Sequence, residues 1–258
     1  MTLYIVGLGP SPAYLSLRAI SVLSRASRIY VDSYTSIGFG DVLQLVRGLA
    51  GPGVVVAPVE RRVLEEGAAR IIEEARSSDV AVAVVGDPLT ATTHNALRLE
   101  AMRKGVRVEV VPAVSGLQMV VAETGLSWYK FGRPVTLVRP EYGVKPYSVL
   151  DVVAENLGRG LHTLLLLDLR LDEGYMMTIP EALRLLREMA SEKGAVIDAV
   201  YVGVARAGFP DSMCRASRSP GLLEEERWPP PPHSIVVASP RLHPVEEESL
   251  RRLCGFKD

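Results

Sequence analysis

Cysteine is nearly absent from this 258-residue chain and occurs only at Cys214 and Cys254. The two lie in separate regions without C-x-x-C spacing, so the sequence offers neither a disulfide framework nor a zinc site and fits a reduced compartment. Charge imbalance is missing as well: 29 Lys and Arg stand against 30 Asp and Glu, a formal net charge of -1. A neutral total gives no electrostatic footprint of a nucleic-acid binder. The longest apolar stretches, residues 80–85 and 164–167, are far below the ~20 residues a bilayer requires, so no membrane span is expected. The first strand-like run stops at Gly7 with no basic segment before it, which reads as a buried strand rather than a secretion signal and points to a cytoplasmic location. Amide side chains are scarce, with Asn only at 95 and 156 and Gln only at 44 and 118, and Lys is limited to 104, 130, 145, 193 and 257. Scarcity of thermolabile amides is one mark of thermophile proteins, so a thermophilic source is expected.

What is present is ordinary globular composition, 48% hydrophobic and 23% charged, which argues against disorder. At roughly 100–200 residues per domain, the length favours two α/β domains. The first half alternates short apolar runs (3–7, 28–31, 54–58, 80–85, 106–111) with helical stretches (16–26, 40–49, 64–75, 93–104). The strands are continuous apolar runs, the pattern of a parallel sheet covered on both faces. Near residue 113 the spacing widens, with strands expected at 135–138, 163–167, 199–204 and 234–238 and helices at 149–157 and 179–189. Thr178 and Glu181 have capping-box spacing at the start of the latter. The expected domains are 1–113 and 114–258. Pro229 to Pro232 should form a stiff extended approach to the last strand, because proline cannot donate to a ladder.

Three loops stand out. Gly7-Leu8-Gly9-Pro10 follows the first strand, Gly86-Asp87-Pro88-Leu89-Thr90 the fourth, and Pro112 to Gly116, with Ser115, the fifth. Each has a plain structural account: a glycine turn, Asp87 with Thr92 or Thr93 capping the next helix, and Ser115 as an N-cap. Together they fall at one edge of a parallel sheet, where open α/β folds bind ligands. The dinucleotide fingerprint is incomplete because position 12 is proline, and Asp32 is the only acidic residue near the end of strand two, so a nicotinamide-dependent oxidoreductase is a weak rival. No His pair has metalloenzyme spacing; His94, His162 and His243 read as structural, and no metal is expected.

These motifs resemble the tetrapyrrole methylases. Within that family, Tyr34-Thr35-Ser36, Thr90 to His94, Thr124-Gly125-Leu126, Tyr129 to Gly132, Ala205 to Gly208 and Pro232-His233 are similar to the diphthine synthase branch, a similarity that weakens over 209–227. The resemblance implies an N-terminal parallel sheet, a C-terminal mixed sheet and a cleft between the domains for S-adenosylmethionine. Its implied cofactor contacts are Gly9, Pro10, Asp87, Thr90, Ser115, Gly116, Leu166, Ala205 and His233. His233 has the alternative of a structural imidazole bonded under the proline run. The implied activity is trimethylation of the amino group of an aminocarboxypropyl-histidine on translation elongation factor two, with a homodimeric enzyme and no nucleophilic residue. Methylation of a tetrapyrrole carbon is the rival within the same fold.

Overall fold

A computed structural model describes residues 1–258 apart from 33, 61, 62, 65–67 and 258, so the helical stretch expected at 64–75 lies partly outside the described residues. The chain divides into two compact units, Met1–Gly116 and Leu117–Asp258.

The first unit is built on a parallel sheet of β1 (Thr2–Gly7), β2 (Arg28–Asp32), β3 (Val55–Val59), β4 (Val80–Val84) and β5 (Arg107–Val111), in the order β3-β2-β4-β1-β5. All five residues of β4 are fully buried. Its alternating side chains explain why it reads as an unbroken apolar run. Val80, Val82 and Val84 pack with Leu3 and Ile5 of β1 against α3 (Ala69–Ser77) and α4 (His94–Arg103). Ala81 and Ala83 face the other way, with Val6, towards α1 (Leu17–Leu23) and α2 (Val42–Leu49). Both latter helices start on side-chain caps, Ser16 accepting from Ala19 N at 3.0 Å and Asp41 from Gln44 N at 3.0 Å.

The second unit holds a mixed sheet, β11-β10-β12-β7-β6, made of β6 (Val135–Leu137), β7 (Thr163–Leu167), β10 (Val200–Ala205), β11 (Met213–Ser217) and β12 (His233–Ala238). Only β6 and β7 run parallel; the other pairs are antiparallel. A small ribbon joins β8 (Leu169–Arg170) to β9 (Tyr175–Met176). One face of the large sheet packs on α6 (Ser148–Gly158) and α7 (Ile179–Glu192) through Leu165, Leu183, Leu186 and Ile235. The other packs Val202, Val204 and Val236 with Val120 of α5 (Gly116–Thr124) and Leu250 of α9 (Pro244–Cys254). The expected capping box forms at α7, with Thr178 Oγ1 accepting from Glu181 N at 3.4 Å.

The segment 209–227, where the family similarity weakens, forms the edge strand β11 and the short α8 (Pro220–Glu224), and Trp228 donates to Leu223 O at 2.8 Å. Two expectations need correction. The proline run is not extended throughout, because the chain bends at Pro230 and Pro231. The cysteines are not free thiols. Cys214 on β11 and Cys254 at the end of α9 form a disulfide, since α9 crosses the sheet edge and sets their Cα atoms 4.6 Å apart, within bridging reach.

Candidate active site

Sheet order puts β4, β1 and β5 side by side, so the three motif loops leave the same carboxyl edge as neighbours. They are also bonded to one another. Gly9 N donates to Gly86 O at 3.2 Å and Gly86 N donates to Gly9 O at 3.0 Å, which closes a two-residue bridge between the first two loops. Asp87 then ties the second loop to the third. Its Oδ1 accepts from Leu89 N at 3.0 Å and Thr90 Oγ1 at 2.9 Å, while Oδ2 accepts from Ala113 N at 3.1 Å. Both carboxylate oxygens thus tie the loops together. Gly86 has φ +75° and its missing Cβ would point to within 4.0 Å of Ser115 Cα, while a Cβ on Gly116 would meet nothing within 4 Å. Ser115 is buried, and α5 starts at the next residue.

Gly7 is where the loops converge. A Cβ there would lie 2.7 Å from Ala113 Cβ, 2.8 Å from Gly86 O and 2.8 Å from Pro88 Cδ. None of these is the end of a flexible side chain, so the loops would have to part. Gly7→Ala is expected to cost about 3 kcal/mol, the upper range for overpacking, measurable by denaturant unfolding; a loss under about 0.5 kcal/mol, the level of a neutral surface change, would show that the loops can spread.

The helix after the second loop is not capped as expected. Thr93 occupies the N-cap position of α4 without a side-chain bond, and the Thr92 hydroxyl instead donates to Pro88 O. Ala91 between them has φ +56°, a conformation that strains a residue with a Cβ and often marks functional loops.

In the second unit, Ala205 pairs with His233 across β10 and β12, and Ser234 pairs with Leu166 across β12 and β7. The structure therefore groups Leu166, Ala205 and His233 on three adjacent strands. Arg206, next after Ala205, has φ +57°, and its N–H donates to Pro232 O at 2.7 Å. The His233 ring is fully used: Nδ1 accepts from Ile179 N at 3.1 Å and Nε2 donates to Pro229 O at 2.7 Å. Burial holds its pKa below the usual imidazole range, with Arg206 acting in the same direction and Pro229 opposing. The ring is neutral and structural, which leaves only the main chain of His233 for a ligand.

Residues 2–212 match the family of tetrapyrrole (corrin/porphyrin) methylases. The chain belongs to this family. It is similar to the diphthine synthase of Staphylothermus marinus, 41% identical over 99% of this chain and 95% of that protein. It is also similar to the diphthine synthase of Methanocaldococcus jannaschii, 35% identical over 93% of each. A crystal structure of diphthine synthase superposes with a TM-score of 0.88 at 32% identity, covering 100% of this chain and 97% of that one.

This methylase carries a buried group that sequence reasoning set aside. Asp32 ends β2, beside β4 in the sheet, and is 4% exposed. Its Oδ1 accepts from Tyr34 N at 2.9 Å and Thr35 N at 3.0 Å. Its Oδ2 lies 3.1 Å from His94 Nε2, off the direction of a hydrogen bond, with both side chains 1% exposed. Burial alone would raise the Asp32 carboxyl, but His94, the Thr35 hydroxyl and the two N–H groups outweigh it and hold it below its ordinary value. A carboxylate so enclosed is not offered to a ribose hydroxyl, which counts against a nicotinamide site. The signal for this pair was present in Tyr34-Thr35-Ser36 and Thr90 to His94, but only the fold shows that they meet.

Proposed function

We propose that this methylase uses S-adenosylmethionine to add three methyl groups to the amino nitrogen of the aminocarboxypropyl-histidine of translation elongation factor two, as a cytoplasmic homodimer that needs no metal. At the coarser level it is an S-adenosylmethionine-dependent methyltransferase of diphthamide biosynthesis. The observation that supports the cofactor assignment is the bonded three-loop cradle; the acceptor and the number of methyls are proposed from the family resemblance. Residues 7–10, 86–90 and 112–116 contain no Lys or Arg, which suits a cationic sulfonium and would serve a pyrophosphate poorly. The contacts proposed from the family resemblance are Gly9, Pro10, Asp87, Thr90, Ser115, Gly116, Leu166, Ala205 and His233, several of them through main-chain atoms.

When bound, the cofactor supplies a methyl on positively charged sulfur, so charge moves from donor to acceptor and no oxyanion has to be stabilised. The protein's part is to align the amine, exclude water and take up the proton that the amine must lose. Titration calorimetry is expected to show S-adenosylhomocysteine binding at micromolar affinity or tighter, unchanged by chelators. Tandem mass spectrometry of elongation factor two carrying the unmethylated intermediate should end at the trimethyl product. Methylation of a precorrin and not of that peptide would overturn the substrate assignment, and a mono- or dimethyl end point would refute the count. Sedimentation showing a concentration-independent monomer would remove the dimer, which is proposed from family resemblance and the prevalence of two-fold oligomers.

Asp87→Ala severs the tether to Ala113 and frees the turn at Thr90. It is expected to weaken S-adenosylhomocysteine binding by about 10-fold or more, equivalent to ~1.4 kcal/mol, while lowering the melting temperature by only a few degrees. Unchanged affinity with a large melting shift would assign the carboxylate to the fold alone.

A further inference from the structure

Among the described residues three carboxylates are buried: Asp32, Asp168 and Glu246. Asp32 and Glu246 each direct both oxygens at groups of the chain. Asp168 does not. Its Oδ2 accepts from Arg139 N at 3.1 Å and from Arg170 Nε at 3.2 Å, while Oδ1 has no partner among the described residues and is not sealed from solvent. A carboxylate can accept on both oxygens, and a bare one on so buried a residue calls for an explanation.

Arg170 is left open in the same way. Its Nε is given to Asp168 and its Nη1 to Glu141 and Glu173, which fixes the guanidinium. Nη2, on the same edge of the fork as Nε, has no partner among the described residues. A bare carboxylate oxygen and a bare guanidinium nitrogen therefore stand side by side, joined through Oδ2 and Nε.

Their place gives them a use. Asp168 lies between β7 and β8, two residues beyond Leu166. Because β12 runs antiparallel to β7 and β10, the end of β7 shares one sheet edge with His233 at the start of β12 and Ala205 at the end of β10. The chain is also bonded across this edge: Met177 N donates to Asp168 O at 2.9 Å, and Ile179 N, two residues on, donates to His233 Nδ1. The pair thus borders the three residues of this unit proposed for the cofactor without being one of them.

We propose that Asp168 and Arg170 bind the amino-acid end of the acceptor, its ammonium on Oδ1 and its carboxylate on Nη2, a role that rests on the substrate reading above. An aminocarboxypropyl group presents the two charges side by side, and the three cradle loops, having no Lys or Arg, offer its carboxylate no ion-pair partner. Oδ1 takes one N–H of the amine and leaves the others for deprotonation and methyl transfer. Each methyl removes an N–H, so the trimethyl product keeps the charge but has nothing to donate. The same oxygen therefore favours substrate over product.

The test compares wild type, Asp168→Asn and Arg170→Gln by calorimetric titration of each S-adenosylhomocysteine complex with elongation factor two carrying either the unmethylated intermediate or the trimethyl product. In Asp168→Asn the amide oxygen must face the N–H groups of Arg139 and Arg170, so the NH2 takes the place of Oδ1 and the fold is kept. This variant is expected to bind the unmethylated form weaker by about 10-fold or more, the scale of a lost charge-assisted hydrogen bond, with a clearly smaller loss for the trimethyl form. Arg170→Gln should weaken both forms by about the same factor, because methylation leaves the carboxylate unchanged. S-adenosylhomocysteine itself should bind within about 2-fold of the wild type in both variants. Unchanged affinity for the unmethylated form in either variant, or equal losses for the two forms in Asp168→Asn, would overturn the proposal. A parallel loss of S-adenosylhomocysteine binding would overturn it too, assigning the pair to the cofactor's own amino-acid end. If Asp168→Asn does not fold, the same comparison in Arg170→Gln decides. A wild type that methylates no elongation factor two fails the substrate reading itself, whereas a methylating wild type beside variants of unchanged affinity fails only the role of this pair.

Discussion

Replacing Glu246 with alanine is expected to destabilise the second unit by about 3–5 kcal/mol, the range for breaking a buried ion pair from one side. Glu246 is the third residue of α9 and is 2% exposed. Its Oε1 accepts from Ser127 N at 3.0 Å and faces His162 Nε2 at 2.9 Å; its Oε2 accepts from Lys130 Nζ at 2.6 Å and His243 N at 2.8 Å. One carboxylate therefore caps α9 and ties it to the chain before β6 and to the start of β7. Removing it leaves a fully buried imidazole and a largely buried ammonium without their anion. Glu246→Gln keeps the shape and most of the acceptor capacity and should lose less. Urea unfolding of both variants measures the difference, and an alanine cost below about 1 kcal/mol, no more than a surface pair is worth, would show that water replaces the carboxylate.

The same group fixes an acid limit. Burial by itself raises the Glu246 carboxyl, but Lys130, His162 and the N–H groups of His243 and Ser127 outweigh it and hold the value at about 2, against 4.5 for an ordinary glutamate. A carboxyl depressed in the folded state binds protons more readily when unfolded. Its contribution is complete above the ordinary value and is lost as pH falls from 4.5 towards about 2. His162 and His233 lie below the ordinary imidazole value of 6.5, burial being the chief cause in both, so they add an earlier decline that begins as pH drops through that value. Melting curves should accordingly fall in two stages on acidification. The gap between wild type and Glu246→Gln should narrow only in the lower stage.

The parallel sheet was legible because a strand such as β4, buried on both faces, leaves an uninterrupted apolar run. The loops after β1, β4 and β5 could be assigned to one edge on the same grounds. Their adjacency, and the Asp87 tether to a main-chain N–H 26 residues away, depend on strand order, which no local pattern encodes. Edge strand β11 escaped because an edge needs cover on fewer sides: Arg215 is exposed between buried Cys214 and Ala216, and so short a mixed run resembles a loop. Two helix starts were readable and passed over. Ser219-Pro220 precedes α8 with proline in the first turn, and His243 with Glu246 forms a capping box on α9. The meeting of Asp32 and His94 was not legible, because a lone histidine carries no spacing signal and Asp32 lies on another element, so only the sheet brings the two together.

The Cys214–Cys254 bridge was invisible for a related reason: a sequence separation of 40 says nothing about distance until β11 and α9 are placed. Its loss is expected to be the other large effect on stability. Closing a loop of that length restricts the unfolded chain by about 4 kcal/mol in the chain-entropy account, equivalent to roughly 10 °C in melting temperature for a unit of this size. The bridge holds the C-terminal end of α9 while Glu246 holds its first turn, so the helix is fixed to the sheet at both ends. Cys214→Ala/Cys254→Ala should melt near the reduced wild type and well below the oxidised wild type, as read by calorimetry. Combined with Glu246→Ala it should cost less than the sum, because a helix released at one end already lets go of part of what the other end secures. Such a bridge is unusual inside cells but common in intracellular proteins of hyperthermophiles, where a staple whose effect lies in the unfolded chain stays useful at temperatures at which the hydrophobic contribution per unit area has levelled off. Equal melting temperatures for the oxidised, reduced and alanine forms would show that α9 is secured by its buried Leu250 and Phe256 contacts alone.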